Sequence, residues 1–282
     1  MPLRRLDDAS GLVHQATGDP DAPPIVYLPG VHGDWTAQAR ARPQLSQDFH
    51  LIETAYPRID SWSIDDFARA LKDLLDGLGI ESAHIVGESF GSLVAWQFGI
   101  ANPDRVRSYT LVGGFARPPR FAVAAAAAAA LKSLPTAMLE SAIDLYVAGK
   151  SAIGEHRDTF ESGAYPATRT QRGRQATANR MSIIQGSDFR DQLHEVRFPV
   201  RYIGGARDVV VPVRREIATL VAHLPPHCDF QNELVTGAPH NIIASHPMET
   251  VEHLSRWVRE AELERAKKTT PADLEQLGGR HD

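Results

Sequence analysis

The chain has 282 residues, of which 43% are hydrophobic and 23% charged, the balance of an ordinary globular protein with material for one large core or two modest ones. A formal net charge of -5 gives no electrostatic reason to expect nucleic acid or an anionic membrane as a partner. The single cysteine, Cys228, excludes an internal disulfide; with no apolar segment following Arg4 and Arg5, and no apolar run near the ~18 residues of a membrane span, the expectation is a cytoplasmic protein.

In chain order, Ile25 to Leu28 is a short apolar run between prolines and a glycine, which predicts a buried strand, and His50 to Thr54 predicts another. Ser63 to Leu78 places Ile64, Phe67, Ala68, Leu71, Leu74, Leu75 and Leu78 at helical spacing. Ser63 is a natural N-cap, Asp65 and Asp66 suit the first turn, and Gly79 is a natural stop. Strand (Ala83 to Val86), helix (Ser89 to Ala101) and strand (Ser108 to Val112) follow at short spacing, the pattern of a parallel sheet with crossover helices.

The alternation stops at Phe115 and resumes at Val200 to Gly204. Between them lie an alanine tract and a polar stretch rich in Arg, Thr and Gln, and an unstructured loop of roughly 80 residues would be improbable in a compact domain. A helix from Val213 to Leu224, a strand from Asp229 to Val235 and a helix from Pro247 to Leu263 complete the pattern. The expected organisation is an α/β core of residues 1–114 and 197–264, a helical lid insertion over 115–196, and a flexible charged tail over 265–282.

Gly87-Glu88-Ser89-Phe90-Gly91 matches G-x-S-x-G between a predicted strand and a predicted helix. A serine in that sharp turn has its hydroxyl raised clear of the sheet, and its strained backbone requires small neighbours, which Gly87 and Gly91 supply. A serine hydroxyl needs a base. Of the 12 histidines, His240 follows a predicted strand, at the end of a sheet where ligands bind; His246 is the nearest competitor but opens a helix before Pro247. Asp208, in the turn after the Val200 strand, is the candidate for orienting the imidazole, with Asp188, Asp191 and Asp229 less well placed. Two backbone N–H groups should hold an oxyanion: that of Phe90, and that of Val31 in the loop Leu28-Pro29-Gly30-Val31-His32-Gly33, where His32 is the rival.

These motifs, LPGVHGDW, GESFGS, GARDVVVP and GAPHNIIASHP in order, resemble the α/β-hydrolase fold superfamily, in particular its single-domain members with a helical lid. Pro212, four residues after Asp208, and Pro247, seven after His240, match prolines common in the family; where many members read L-H-G, this chain reads Leu28-Pro29-Gly30. The resemblance spans about residues 23–258. It implies a mostly parallel central sheet flanked by helices, and a serine hydrolase acting on an ester or related acyl compound, carboxylesterase-like. The serine nucleophile argues against haloalkane dehalogenases and epoxide hydrolases, where aspartate stands at that position. An acyltransferase with the same triad, or a ligand-binding protein on the same fold, is the alternative. Leu139, Ile143 and Tyr146 in the lid are the expected substrate-binding positions. No H-E-x-x-H, cysteine pair, P-loop or dinucleotide fingerprint is present, so no metal and no cofactor are expected. The expected partner is a small-molecule acyl substrate; self-association is left open.

Overall fold

The computed structural model describes Leu6 and residues 9–117, 129–130, 133, 138 and 170–268. Seven strands form one sheet: β1 (Val13–Thr17), β2 (Pro24–Leu28), β3 (His50–Ala55), β4 (Ala83–Glu88), β5 (Val106–Val112), β6 (Val200–Gly205) and β7 (Phe230–Val235). Their order is β1-β3-β2-β4-β5-β6-β7. Only the β1–β3 pairing is antiparallel; the other strand pairs are parallel.

Every residue of β2 and β4 is buried, as expected of parallel strands covered on both faces. Successive side chains nonetheless enter different cores. Val26 and Leu28 join the cluster of Phe67, Leu71, Phe90, Leu93 and Trp96, while Ile25 and Tyr27 join that of Leu45, Phe49, Ile242, Leu254 and Trp257. The period of two along a strand therefore divides the interior into two layers, one on each face of the sheet.

The helices are α1 (Arg42–Asp48), α2 (Ile64–Gly77), α3 (Phe90–Ala101), α4 (Gln171–Gly186), α5 (Val213–His223), α6 (Ile242–Ser245) and α7 (Pro247–Lys268). α2 begins as its sequence predicts. The Ser63 hydroxyl accepts from the Asp66 N–H at 3.3 Å and the Asp66 carboxylate accepts from the Ser63 N–H at 2.8 Å, a reciprocal cap. α3 is apolar on nearly every side because it lies between the sheet and α2, with Trp96 and Phe98 fully buried.

Three differences from the sequence reading have local causes. β1 was not expected: its residues alternate between partial burial and exposure, the mark of an edge strand paired on one side only, and polar His14 and Gln15 mask the pattern. α7 continues to Lys268, beyond Arg265 where a flexible tail was expected to begin. Arg265 with Glu262, and Lys267 with Glu264, form ion pairs three residues apart that support its last turns. Within the segment expected to form the lid, the described residues include α4 and a 3₁₀ turn at Arg190–Glu195 and no strand. Leu139, Ile143 and Tyr146 lie outside the described residues.

Four residues after β5 the Ala116 N–H donates to Glu216 on α5 at 2.7 Å, and the Ala116 carbonyl accepts from the Phe189 N–H at 3.0 Å. Glu216 is 5% exposed, and burial pushes its carboxyl up to about 7 against the pull of the Ala116 N–H. A carboxyl raised on folding keeps its proton in the native state where the unfolded chain has released it. Its contribution is therefore complete below the ordinary carboxylate range and is lost as pH rises through about 7. Glu216→Gln keeps an oxygen for the Ala116 N–H without the charge. It is expected to raise the stability at about pH 8 by on the order of 2–3 kcal/mol, seen as a higher melting temperature, and to do little at about pH 5. Equal shifts in thermal melts at the two pH values would show that charge burial at Glu216 is not what the substitution relieves.

Candidate active site

The strand order reverses direction between β2 and β4: β3 lies on one side of β2, and β5, β6 and β7 follow β4 on the other. A crevice opens at such a point because the loops from the two central strands run to opposite sides. The loop after β2, Pro29 to Gly33, and the turn after β4, at Ser89, meet there.

Ser89 joins β4 to α3 with φ 48° and ψ -112°, the one positive φ at a non-glycine among the described residues. Its N–H donates to the Val112 carbonyl at 3.1 Å, and its own carbonyl accepts from the Ser92 hydroxyl at 2.6 Å. The turn is tight enough to require its glycines. A Cβ on Gly87 would lie 2.8 Å from the Gly91 oxygen and 2.9 Å from Ser92 Cα. Such strain persists only where surrounding structure over-determines it. Glu88, between glycine and serine in the motif, is turned to the other face of the sheet, where the buried Tyr27 hydroxyl donates to its carboxylate.

The structure brings Ser89, His240 and Asp208 together. The Ser89 hydroxyl donates to His240 Nε2 at 2.9 Å, and His240 Nδ1–H donates to Asp208 Oδ2 at 2.8 Å. The Asp208 side chain is fully buried, and its other oxygen accepts from the N–H groups of Val210 and Val211, each at 2.8 Å. A carboxylate held by three donors presents one fixed acceptor to the imidazole. This keeps the proton on Nδ1 and the Nε2 lone pair facing the serine. Asp208 stands in the turn after β6 and His240 in the loop after β7, and the two turns are stitched by the Arg207 N–H donating to the Ala238 carbonyl at 2.9 Å.

The remaining candidates separate cleanly. His246 bonds its neighbour Ser245, Asp188 is paired with Arg190 at the surface, and Asp229 is paired with the buried Arg201. His84 bridges Ser108 and Glu262 of α7. Among the described residues no cluster of His, Cys, Asp and Glu could hold a metal ion, and no helix is long and apolar enough to cross a membrane.

The N–H groups of Val31, His32 and Phe90 have no hydrogen-bond partner among the described residues. Phe90 is locked by edge-on packing against Tyr56 and Phe67, with ring centroids at 5.6 and 5.4 Å. The loop opposite is folded by the Gly33 N–H donating to Gly30 at 3.0 Å, and tied down by Tyr56, whose hydroxyl donates to the Pro29 carbonyl at 3.0 Å and whose N–H donates to Gly33 at 2.8 Å. Tyr56, in the chain just after β3, and Arg180, on α4, whose Nε–H donates to the Val31 carbonyl at 2.8 Å, touch this loop and were not singled out in the sequence; each reaches it through a backbone contact that leaves no motif.

A family model described as alpha/beta hydrolase fold matches residues 31–247. A protein of Azorhizobium caulinodans provisionally named carbamate hydrolase RutD is 27% identical over 171 residues, 57% of this chain; the match spans 60% of that protein's own length. The 2-hydroxy-6-oxononadienedioate/2-hydroxy-6-oxononatrienedioate hydrolase 1 of Dechloromonas aromatica is 51% identical over 47 residues, 17% of this chain and 16% of that protein. The solved structure of a thermophilic esterase from Thermogutta terrifontis, with malate bound, shares the fold. Its TM-score is 0.74 at 18% identity, over 91% of this chain and 97% of that one.

Proposed function

The chain belongs to the α/β-hydrolase fold family, and from that premise we propose that it is a serine hydrolase cleaving an ester or related acyl bond. The observation that carries this reading is the continuous hydrogen-bond relay from Ser89 through His240 to the buried Asp208, at the point where the strand order reverses. In the proposed reaction His240 Nε2 takes the Ser89 proton as the oxygen attacks the acyl carbon. The Val31 and Phe90 N–H groups receive the oxyanion. His240 then protonates the leaving group and, in the second half-reaction, takes a proton from the water that releases the acid. Asp208 accepts from Nδ1–H throughout and holds the imidazole in place.

A fluorophosphonate probe is expected to label the protein at Ser89, mapped by peptide mass spectrometry, and p-nitrophenyl esters of short acids are expected to turn over. Labelling elsewhere, or none on folded protein, sinks the assignment. The name of the Azorhizobium caulinodans relative favours a second reading, carbamate cleavage by the same residues, so carbamates belong in the substrate panel beside esters.

A further inference from the structure

α4 carries one arginine into the interior. Arg180 is 3% exposed, and no carboxylate among the described residues lies within ion-pair distance of it. Burying a charge is costly, so its surroundings must offset the loss through hydrogen bonds and favourable fields, and the Asp34 carboxylate supplies one such field. Its Nε–H donates to the Val31 carbonyl at 2.8 Å, and its Nη2 donates to Thr177 on the same helix at 3.1 Å. Its guanidinium carbon lies 5.8 Å from the centre of the Tyr56 ring, the ring whose hydroxyl holds Pro29. At Gly33 (φ 86°) a Cβ would stand 3.0 Å from Nη2 and 3.1 Å from the guanidinium carbon, so the loop packs closely on Arg180, and the positive φ favours glycine there.

From these contacts we infer that Arg180 is a positioning residue for the oxyanion loop: it clamps the Val31 carbonyl so that the loop's free N–H groups stay aimed at the reacting centre. The inference rests on the hydrolase reading for its catalytic consequence, though not for the clamp itself. Residues 29–33 have no regular structure of their own, and their free N–H groups repel one another when aimed at one point. Tyr56 fixes both ends of the loop, at Pro29 and Gly33; Arg180 fixes its middle. Burial pulls the guanidinium down to about 10, so it stays charged at neutral pH and adds a positive field behind the loop. Preorganised donors of this kind act on the transition state and leave ground-state binding little changed.

Arg180→Met and Arg180→Lys in the full chain test this with three readouts: amide hydrogen exchange of the peptide covering residues 29–35, steady-state kinetics on a p-nitrophenyl ester, and affinity for a trifluoromethyl ketone that mimics the tetrahedral intermediate. Arg180→Met is expected to speed exchange in the loop and to lower kcat about 10–100-fold, less than the roughly 10²–10³-fold lost when an oxyanion donor is removed outright. KM should move less than about two-fold, and ketone affinity should fall in step with kcat/KM. Arg180→Lys, which restores charge without the planar fork, should recover part of each. A purely structural role would lower the melting temperature while leaving ketone affinity per labelled Ser89 unchanged. Exchange and ketone affinity at wild-type levels in folded Arg180→Met overturn the inference; should that variant not fold, the same comparison on Arg180→Lys decides it. Wild-type protein that neither labels at Ser89 nor cleaves esters defeats the hydrolase reading, while faster loop exchange in the variants would still support the clamp.

Discussion

Ser89→Ala or His240→Ala is expected to lower kcat by about 10⁴-fold or more, and the double variant to be hardly slower than either single one. The reason is the relay itself. The hydroxyl is 2.9 Å from an imidazole whose other nitrogen is held by Asp208, so in the proposed reaction the two residues act as nucleophile and base in one step. Removing the hydroxyl leaves the base nothing to activate, and removing the base leaves a hydroxyl that is a weak nucleophile at neutral pH. What survives in either variant is catalysis by the oxyanion donors and by substrate positioning. Kinetics on both single variants and the double variant, with folding checked by thermal melts, decide the matter: losses that multiply would mean that the two residues act in separate steps.

The second large effect is expected at Gly91. A Cβ there would press on the Leu28 carbonyl oxygen and stand 2.8 Å from the Leu28 carbonyl carbon and 2.9 Å from the Pro29 oxygen. These are backbone atoms at the end of a fully buried central strand, so no rotamer change can make room. Overpacking typically costs about 1–3 kcal/mol, and Gly91→Ala should reach the upper end because neither side can yield. The function should fall with it. Pro29 begins the proposed oxyanion loop and Gly91 lies in the first turn of α3, two residues after Ser89, so a shift that relieves the clash is expected to change the spacing of the Val31 and Phe90 N–H groups. A chemical-denaturation midpoint lowered together with kcat is the expected result. A variant as stable and as active as wild type would show that β2 and α3 separate more readily than this packing implies.

Much of the molecule is legible in the sequence because its signals are local. The apolar runs at Ile25, Ala83, Ser108 and Val200 are strands covered on both faces, and burial on both faces is what makes a run continuous. Ser63 and Gly79 bound α2 because capping is decided within a few residues. The G-x-S-x-G turn is recognisable because steric crowding admits few residue types at each place. β1 escaped because an exposed edge tolerates polar residues and so loses its pattern.

Other features were decided by tertiary structure alone. The sequence nominated Ser89, Asp208 and His240 by the strands they follow, but only the assembly of β4, β5, β6 and β7 in that order brings their polar atoms to 2.8–2.9 Å from one another. Arg180 sits in a stretch that reads as polar surface, and Glu216 looks like one more exposed helical carboxylate. Each is buried because a distant segment covers it: the Val31 loop across 149 residues in the first case, the Ala116 backbone across 100 in the second. Composition and periodicity record what a residue prefers among its chain neighbours. Whether a charge is buried, and which backbone carbonyl it holds, is settled by loop closures that carry no local trace.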